Sequence, residues 1–129
     1  MHVYDPKHKK QQFIDKKQVL TKAFIRVNDL LHFTRHELSG IVGLSEPTLS
    51  RVFANTSFID PTTKEGESVI LLIRLYQSLD ALFGGNSNQC QLWLRNNNKH
   101  LNSIPIDLIQ STEGLVLTVQ YLGAMRGKN

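Results

Sequence analysis

Cysteine is almost missing from this sequence, since Cys90 is the only one in 129 residues. A single thiol excludes an internal disulfide framework and a cysteine-rich zinc site, and it is typical of a reducing compartment. Long apolar runs are missing too: the longest, Val69 to Ile73, is far shorter than the roughly 20 residues that cross a bilayer. The first residues are rich in histidine and lysine and lack the apolar segment of a secretory signal. We therefore expect a cytoplasmic protein without a membrane partner.

An excess of positive over negative charge is found mainly in the first residues of the chain. The formal net charge is +4, with 40% hydrophobic and 20% charged residues, a composition typical of a folded globular chain. Residues 1–17 hold five lysines against two aspartates, a net +3, whereas residues 18–60 hold four basic and four acidic residues and are neutral. Residues 61–129 add +1. We interpret residues 1–17 as a basic arm attached to one compact body, with a helical end of the arm left as an open alternative.

Apolar residues recur every three or four positions from residue 19 onward, which predicts helices. The first helix is expected from residue 19 to residues 31–33. Its apolar face is formed by Leu20, Phe24, Val27 and Leu31. No segment alternates convincingly with the period of two that marks strands, although Val116 to Val119 is rich in residues that favour strands. The chain is predicted to be all-α, with seven or eight helices.

Side chains that can cap a helix mark where the next helices begin. Thr34, with Glu37 three residues later, has the pattern of a capping box and predicts a short helix that Gly43 ends. Ser45 precedes the following helix, and Pro47 lies in its first turn, where a missing N–H costs little. The sequence thus predicts two short helices separated by a glycine turn.

A long helix is expected next, capped by Asp60 and with Pro61 in its first turn. It should continue to Phe83, with its apolar residues in two stripes rather than one. Gly84-Gly85 is expected to end it. Shorter helices are predicted after it, the first capped by Ser87, the second opened by Pro105, and the last capped by Ser111 or Thr112.

Residues 38–52 read LSGIVGLSEPTLSRV and have the spacing of a helix-turn-helix. Gly43 stands at the turn, where a left-handed backbone costs little only for glycine. Inward-facing apolar residues are expected to lock the helices together; they are Leu38, Val42, Leu44, Leu49 and Val52. The second helix then presents the surface that enters the major groove of DNA. DNA-binding roles are assigned on it to Ser45, Glu46, Thr48, Ser50 and Arg51.

Arg51 is the base-reading candidate, because its planar fork matches the O6 and N7 acceptors of guanine. Thr48 and Ser50 are expected to bind phosphate or a thymine edge. The neutral charge of residues 18–60 leaves DNA binding open, since DNA-binding surfaces are usually basic. Lys9 and Lys10 of the arm are assigned the missing positive charge, as contacts to the DNA backbone or minor groove.

Several short motifs follow one another in the second half of the chain. They are Lys64 to Glu67, LIRLYQSLD at 72–80, Gly84-Gly85, Trp93-Leu94, PIDLI at 105–109, Glu113 to Leu115, Tyr121-Leu122 and Met125 to Gly127. In this order and spacing they resemble the toxin-binding domain of Xre/MbcA/ParS-type antitoxins, and with the helix-turn-helix the resemblance covers residues 18–129. Gly123 and Gln77 depart from the family, which often has an acidic residue and an arginine there, and both bear on the choice of partner.

The resemblance implies an antitoxin that represses its own operon and covers the active site of a co-encoded toxin, commonly a RES-domain enzyme that consumes NAD. Operator DNA and the toxin are the implied partners. A homodimer, or a hetero-oligomer with the toxin, is expected because a helix-turn-helix usually reads paired half-sites. The chain would comprise a basic arm (1–17), an Xre-like helix-turn-helix domain (18–60) and a toxin-binding domain (61–129). Toxin-binding roles are assigned to Trp93, Pro105, Tyr121, Met125, Arg126 and Lys128.

Two other functions fit the same residues: a stand-alone transcriptional regulator with a dimerisation or ligand domain, and an interaction protein that has lost DNA binding. Catalysis is not expected, because neither paired carboxylates nor a nucleophile with a base stand at a suitable spacing. No cofactor or metal is expected either. His32 and His36 are four residues apart, but the helix break at Thr34 puts them on different faces.

Overall fold

The computed structural model of the chain describes residues 6–127, with side chains from residue 16 onward, and folds them into seven helices. The helices are α1 (Pro6–Leu31), α2 (Arg35–Val42), α3 (Glu46–Phe53), α4 (Lys64–Leu82), α5 (Ser87–Arg95), α6 (Pro105–Leu108) and α7 (Thr112–Arg126). This part of the chain contains no strand, and one isolated bridge joins Asn98 to Ser103. The predicted all-α fold is therefore confirmed, with two short helices followed by a long one and a group of C-terminal helices.

The predicted caps of α2, α3 and α7 are confirmed. At α2 the Glu37 N–H donates to Thr34 Oγ1 (3.0 Å), and the Thr34 N–H donates to Glu37 Oε1 (2.9 Å), which completes the capping box. The side chains of Ser45 and Ser111 accept backbone N–H hydrogen bonds at the starts of α3 and α7. Pro105 is the first residue of α6, as predicted. The starts of these helices depend on residues within three positions of the cap, so the local sequence determines them.

Two predicted helix starts are wrong. The first helix begins at Pro6 rather than near residue 19, so residues 6–17 of the predicted basic arm continue it. Lysine and glutamine favour helix even without an apolar face, and proline suits a first helical position. The cap of α5 is Asn86, whose side chain accepts from Gln89 N (3.1 Å), one residue before the predicted Ser87.

The predicted cap of the long helix is also wrong. α4 begins at Lys64, and Thr63 is its N-cap, with its side chain accepting from the Gly66 N–H (3.0 Å). Asp60 is engaged elsewhere, because its Oδ1 accepts from the Thr62 N–H (2.9 Å) and the Thr62 hydroxyl (2.7 Å). These bonds form a turn before the helix rather than its cap.

The long helix α4 lies at the centre of the fold. Its residues Val69, Leu72, Leu75 and Leu79 are fully buried, and it packs against α1, α2, α5 and most extensively α7. Burial on several sides agrees with the two apolar stripes that the sequence predicts. Within the described residues no single helix is both long and apolar enough to cross a membrane, and α4 with α5 reaches that length only as a pair bent by 115°.

Two glycines let the first turns of α4 and α7 lie against preceding backbone. A Cβ on Gly66 would collide with the carbonyl oxygen of Asp60, and one on Gly114 with that of Leu108. Both glycines stand three residues after the N-cap, and their N–H groups donate to the capping side chains. Gly66 therefore has a packing role, rather than only weakening the helix.

Hydrogen bonds join the two halves of the chain at the corner between α1 and α2. Gln91 Nε2 donates to the Leu30 carbonyl (2.8 Å), and one turn later Arg95 binds Glu37. The predicted boundary at residues 17/18 falls inside α1, and the one at 60/61 falls in the loop before α4. The division into segments 1–17, 18–60 and 61–129 stays a prediction.

Candidate functional site

α2 and α3 form the helix-turn-helix predicted for residues 38–52. Gly43 adopts the left-handed conformation (φ +79°) at the turn, and its N–H donates to the Ser39 carbonyl. The predicted apolar contacts are buried at Leu38, Val42, Leu49 and Val52, whereas Leu44 is only partly covered. Burial of one face of α3 leaves its other face free to contact a partner.

The free face of α3 carries the five residues predicted to bind DNA. Ser45, Glu46, Ser50 and Arg51 are exposed, and Thr48 is half-buried. The Ser45 hydroxyl donates to Thr48 Oγ1 (2.8 Å), and Arg51 Nη2 donates to the same oxygen (3.1 Å). The structure thus brings Ser45, Thr48 and Arg51 together in one hydrogen-bonded cluster. Their roles in DNA binding remain predictions.

Arg35, which the sequence-based assignment missed, adds a second cation next to α3. Its guanidinium lies over the Phe53 ring, 3.8 Å from the ring centroid, and Phe53 in turn packs against Phe24 with centroids 5.7 Å apart. Such a cation–π contact holds an arginine in place while leaving donors available. The signal in the sequence was a basic residue at the first position of α2.

The neutral charge of residues 18–60 understates the positive charge of the assembled helix-turn-helix. Glu37 is paired with Arg95 (2.8 Å), and Asp60 lies 3.8 Å from Lys17, so both acids meet cations from outside this segment. The Arg95 guanidinium lowers the pKa of Glu37, chiefly through their hydrogen bonds. The objection to DNA binding based on charge is therefore weaker in the folded chain.

Glu46 is the acidic group on the candidate DNA-binding face. Its Oε2 lies 3.7 Å from Nδ1 of His36, and both side chains are largely exposed. A protonated histidine there would partly compensate the carboxylate. His36 lies in α2 and His32 beyond the end of α1, so the predicted helix break between them is confirmed.

The remaining basic candidates for the DNA contact are described only in part. Lys9 and Lys10 lie within helix α1, and their side chains are outside the described residues. Lys128, assigned to toxin binding, is likewise outside the described residues. The assignments of these three lysines stay predictions.

In the C-terminal half, the predicted toxin-binding residues differ in exposure. Trp93 and Tyr121 are half-buried, whereas Met125 and Arg126 are exposed. Pro105 is buried at the start of α6, so its side chain is covered by the chain itself. Arg126 Nη1 donates to Ser78 Oγ (3.3 Å) across the ends of α4 and α7. A groove of about 330 Å³ lies there, lined by Ala81, Leu82, Met125 and Arg126.

An apolar stripe on α7 is exposed at Leu117 and Met125 and half-buried at Tyr121, and it includes a residue that the sequence-based assignment missed. Leu117, Tyr121 and Met125 are spaced by four residues and share one face, and the exposed fractions of Leu117 and Met125 are 49% and 40%. The opposite face, with Leu115 and Leu122, is fully buried. We name Leu117, Tyr121 and Met125 the α7 stripe. The spacing of Leu117 relative to Tyr121 was the available signal.

Other reactive groups carry little chemistry. Cys90 is buried in the core, and burial raises the pKa of its thiol, which favours the unreactive protonated form. Among the described residues, no group of three or more histidine, cysteine, aspartate or glutamate side chains could hold a metal ion.

Comparison with protein families accounts for both halves of the chain. Residues 13–74 match the antitoxin Xre-like helix-turn-helix domain, and residues 78–128 match the antitoxin Xre/MbcA/ParS C-terminal toxin-binding domain. A comparison with curated proteins gave no match. The fold and these matches define a helix-turn-helix protein with a toxin-binding domain, and neither matched family is a family of enzymes. The chain belongs to the Xre/MbcA/ParS family of antitoxins from toxin–antitoxin systems.

Proposed function

We propose that this antitoxin represses its own operon through α3 and neutralises a co-encoded toxin by covering the toxin's active site with α7 and the residues after it. The observation that carries this proposal is the presence of two separate exposed surfaces, one in each matched domain. The α3 face is polar with an ordered arginine, and the α7 stripe is apolar. Such surfaces suit DNA and a protein, respectively.

The DNA-binding part is tested with the full-length chain and duplex DNA from upstream of its own gene. Arg51→Ala should weaken binding by about 1–3 kcal/mol if Arg51 reads a base. Arg74→Ala is the matched control, because Arg74 is an exposed arginine on α4 outside the helix-turn-helix. A gel shift that shows no binding by the unaltered chain would contradict operator binding, and the alternative of an interaction protein would then be favoured.

Two features of α7 support the neutralising part. Exposed apolar groups such as the α7 stripe are typical of protein interfaces, and Met125 also lines the groove beside Arg126. The proposed contact surface comprises Trp93, Leu117, Tyr121, Met125, Arg126 and Lys128. Pro105 is buried, and it supports this surface indirectly by holding α6 in place. The cations after Met125 would enter the active site, where positive charge suits a carboxylate-bearing pocket.

The toxin is proposed to be a RES-domain enzyme that consumes NAD, encoded next to the antitoxin gene. Expression of that neighbouring gene alone should stop growth, and co-expression of the antitoxin should restore it. Leu117→Glu in the antitoxin should abolish this rescue, because it places a charge in the interface. Val19→Glu is the matched control, because Val19 is also an exposed apolar residue but lies on α1. Equal rescue by both variants would place the toxin contact elsewhere.

A stand-alone regulator with a dimerisation or ligand domain is the alternative function. It predicts operator binding without growth rescue and without co-purification of the neighbouring gene product. The same co-purification, followed by native mass measurement, tests the proposed homodimer or hetero-oligomer with the toxin, since each has a distinct mass.

A further inference from the structure

Three of the five polar residues on the exposed face of α3 form an ordered hydrogen-bond cluster centred on Thr48. Ser45, Thr48 and Arg51 are spaced by three residues and so lie along one side of the helix. Thr48 Oγ1 accepts from the Ser45 hydroxyl at 2.8 Å and from Arg51 Nη2 at 3.1 Å. The Thr48 N–H donates back to Ser45 Oγ at 3.3 Å. Arg51 is therefore held by a neighbour in the free protein.

The groups that this cluster offers to a ligand are mostly donors. Ser45 and Thr48 each have one hydroxyl proton, and one of these two protons forms the hydrogen bond between them. The other proton remains available to a ligand, whichever of the two hydroxyls is the donor. Arg51 has five N–H donors and no acceptor, and only one nitrogen is engaged with Thr48. A surface of this kind matches a ligand edge that carries acceptors.

We propose that Thr48 is a positioning residue that holds the Arg51 guanidinium for reading guanine in the major groove. This inference rests on the proposed DNA binding. Guanine presents the acceptors N7 and O6 side by side, whereas cytosine presents an amino donor that would face the Arg51 donors unfavourably. An arginine ordered before binding loses less conformational freedom when it docks, which strengthens the correct contact.

The location of Thr48 favours positioning over direct contact. Thr48 is half-buried, whereas Ser45 and Arg51 on either side are exposed. Its oxygen is already shared by two donors, and in the observed arrangement both of its acceptor positions are used. Positioning Arg51 is a role beyond the contact to phosphate or a thymine edge that the sequence suggests for Thr48, because its own hydroxyl proton remains available in the observed arrangement.

The test is selection from a pool of DNA duplexes with a randomised central segment, using the full-length chain. The unaltered chain should enrich sequences with a guanine at one position, and Arg51→Ala should lose that preference while the other positions keep theirs. Thr48→Val keeps the shape but removes the hydroxyl. It should reduce the preference for guanine at the same position by about 3- to 10-fold.

Two control variants make the result specific to the Thr48 hydroxyl. Thr48→Ser keeps the hydroxyl and should retain the preference. Thr112→Val makes the same exchange at an exposed threonine of α7, outside the candidate DNA-binding face, and should leave the preference at that position unchanged. Thermal unfolding of Thr48→Val should match that of the unaltered chain, and so should the salt dependence of its binding to a duplex of unrelated sequence. A purely structural role for Thr48 would not produce a change confined to one base.

Three results would overturn the inference, and they differ from failure of the proposed function. Unchanged guanine preference in Thr48→Val would remove the positioning role. Uniformly weaker binding to all sequences by Arg51→Ala would show that Arg51 binds phosphate. Uniformly weaker binding by Thr48→Val would show that Thr48 only supports the helix. If the unaltered chain retains no duplex at all, the proposed DNA binding itself fails.

Discussion

Arg95 and Glu37 form a two-pronged ion pair between the matched toxin-binding domain and the helix-turn-helix. Arg95 Nη1 and Nη2 donate to the two oxygens of Glu37 at 2.8 and 2.9 Å. Glu37 Oε1 also accepts from the Thr34 N–H, so the same carboxylate caps α2. Gln91, also in α5, donates to the Leu30 carbonyl near the end of α1. Helix α5 therefore contacts both the end of α1 and the start of α2. The two domains are thus joined by specific polar contacts.

Removing Arg95 should destabilise the folded chain through this corner. Arg95→Met keeps much of the aliphatic stem but loses the paired charge, and we expect a loss of about 1 kcal/mol in the free energy of unfolding. The value is modest because the Arg95 side chain is 43% exposed, and solvent screens exposed pairs. Chemical denaturation measures the change, with Arg74→Met as an exposed-arginine control on α4. Equal losses in both variants would show that the pair contributes nothing.

The Glu37 pair should also make stability depend on pH in a defined direction. Hydrogen bonds from Arg95 lower the pKa of Glu37 in the folded chain. A lowered native pKa gives stability that is present above the unfolded pKa, about 4.3 for glutamate. That stability is lost as the pH falls through the native value. The contribution should therefore be constant near neutral pH and fade below about pH 4.

Glu37→Gln isolates this contribution, because glutamine can still complete a capping box. The difference in unfolding free energy between the unaltered chain and Glu37→Gln should be largest near neutral pH and shrink as the pH falls to about 3. Denaturation series at several pH values provide the measurement. A difference that stays constant down to the lowest pH would mean that the charge of Glu37 does not stabilise the fold.

Local features of the fold could be predicted from the sequence because few neighbouring residues determine them. Thr34 and Ser45 cap their helices as expected, and Gly43 takes the left-handed turn. These features need only a side chain within three residues of a free N–H, or a backbone that only glycine adopts cheaply. The helix-turn-helix could therefore be placed correctly before any tertiary contact was known.

Features that depend on distant residues could not be predicted in this way. The contact between Arg35 and Phe53 and the pair between Arg95 and Glu37 join different helices, and no spacing rule indicates them. Leu117 was missed because α7 is apolar on more than one face, and only packing against α4 decides which face stays open. Asp60 shows a different limit, because its bonds to Thr62 are local: two nearby residues, Asp60 and Thr63, could cap α4, and Thr63 does so.

Two glycines of α7 should respond in opposite directions to the same substitution. A Cβ on Gly114 would collide with the Leu108 carbonyl, so Gly114→Ala must move backbone and should cost more than about 2 kcal/mol. Gly123 has open space around the position of a Cβ and lies within the helix. Gly123→Ala should therefore stabilise the chain by about 0.5–1 kcal/mol. Thermal unfolding of the two variants measures both effects. Equal stability of Gly114→Ala and the unaltered chain would show that the α6–α7 turn relaxes freely.

Removing the end of the chain should separate the two proposed functions. Deletion of residues 125–129 takes away Met125 and Arg126, and with them one end of the α7 stripe and part of the groove beside Ala81 and Leu82. It leaves the buried residues of α2 and α3 in place, because neither Met125 nor Arg126 belongs to the buried core. We therefore expect the truncated antitoxin to bind its operator with unchanged affinity and to lose growth rescue in co-expression with the toxin.

The control for this deletion is the double substitution Met125→Ala and Arg126→Ala in the full-length chain, which removes the same side chains but keeps the backbone. Similar loss of rescue in both proteins would assign neutralisation to these side chains, since the helix end is then intact. Full rescue by the truncated chain would contradict the proposal that this end enters the toxin's active site. The contact would then be sought around Leu117, Tyr121 and Trp93, which the deletion leaves in place. Loss of operator binding as well would mean that the C-terminal end of α7 supports the helix-turn-helix through α4, against which α7 packs most extensively.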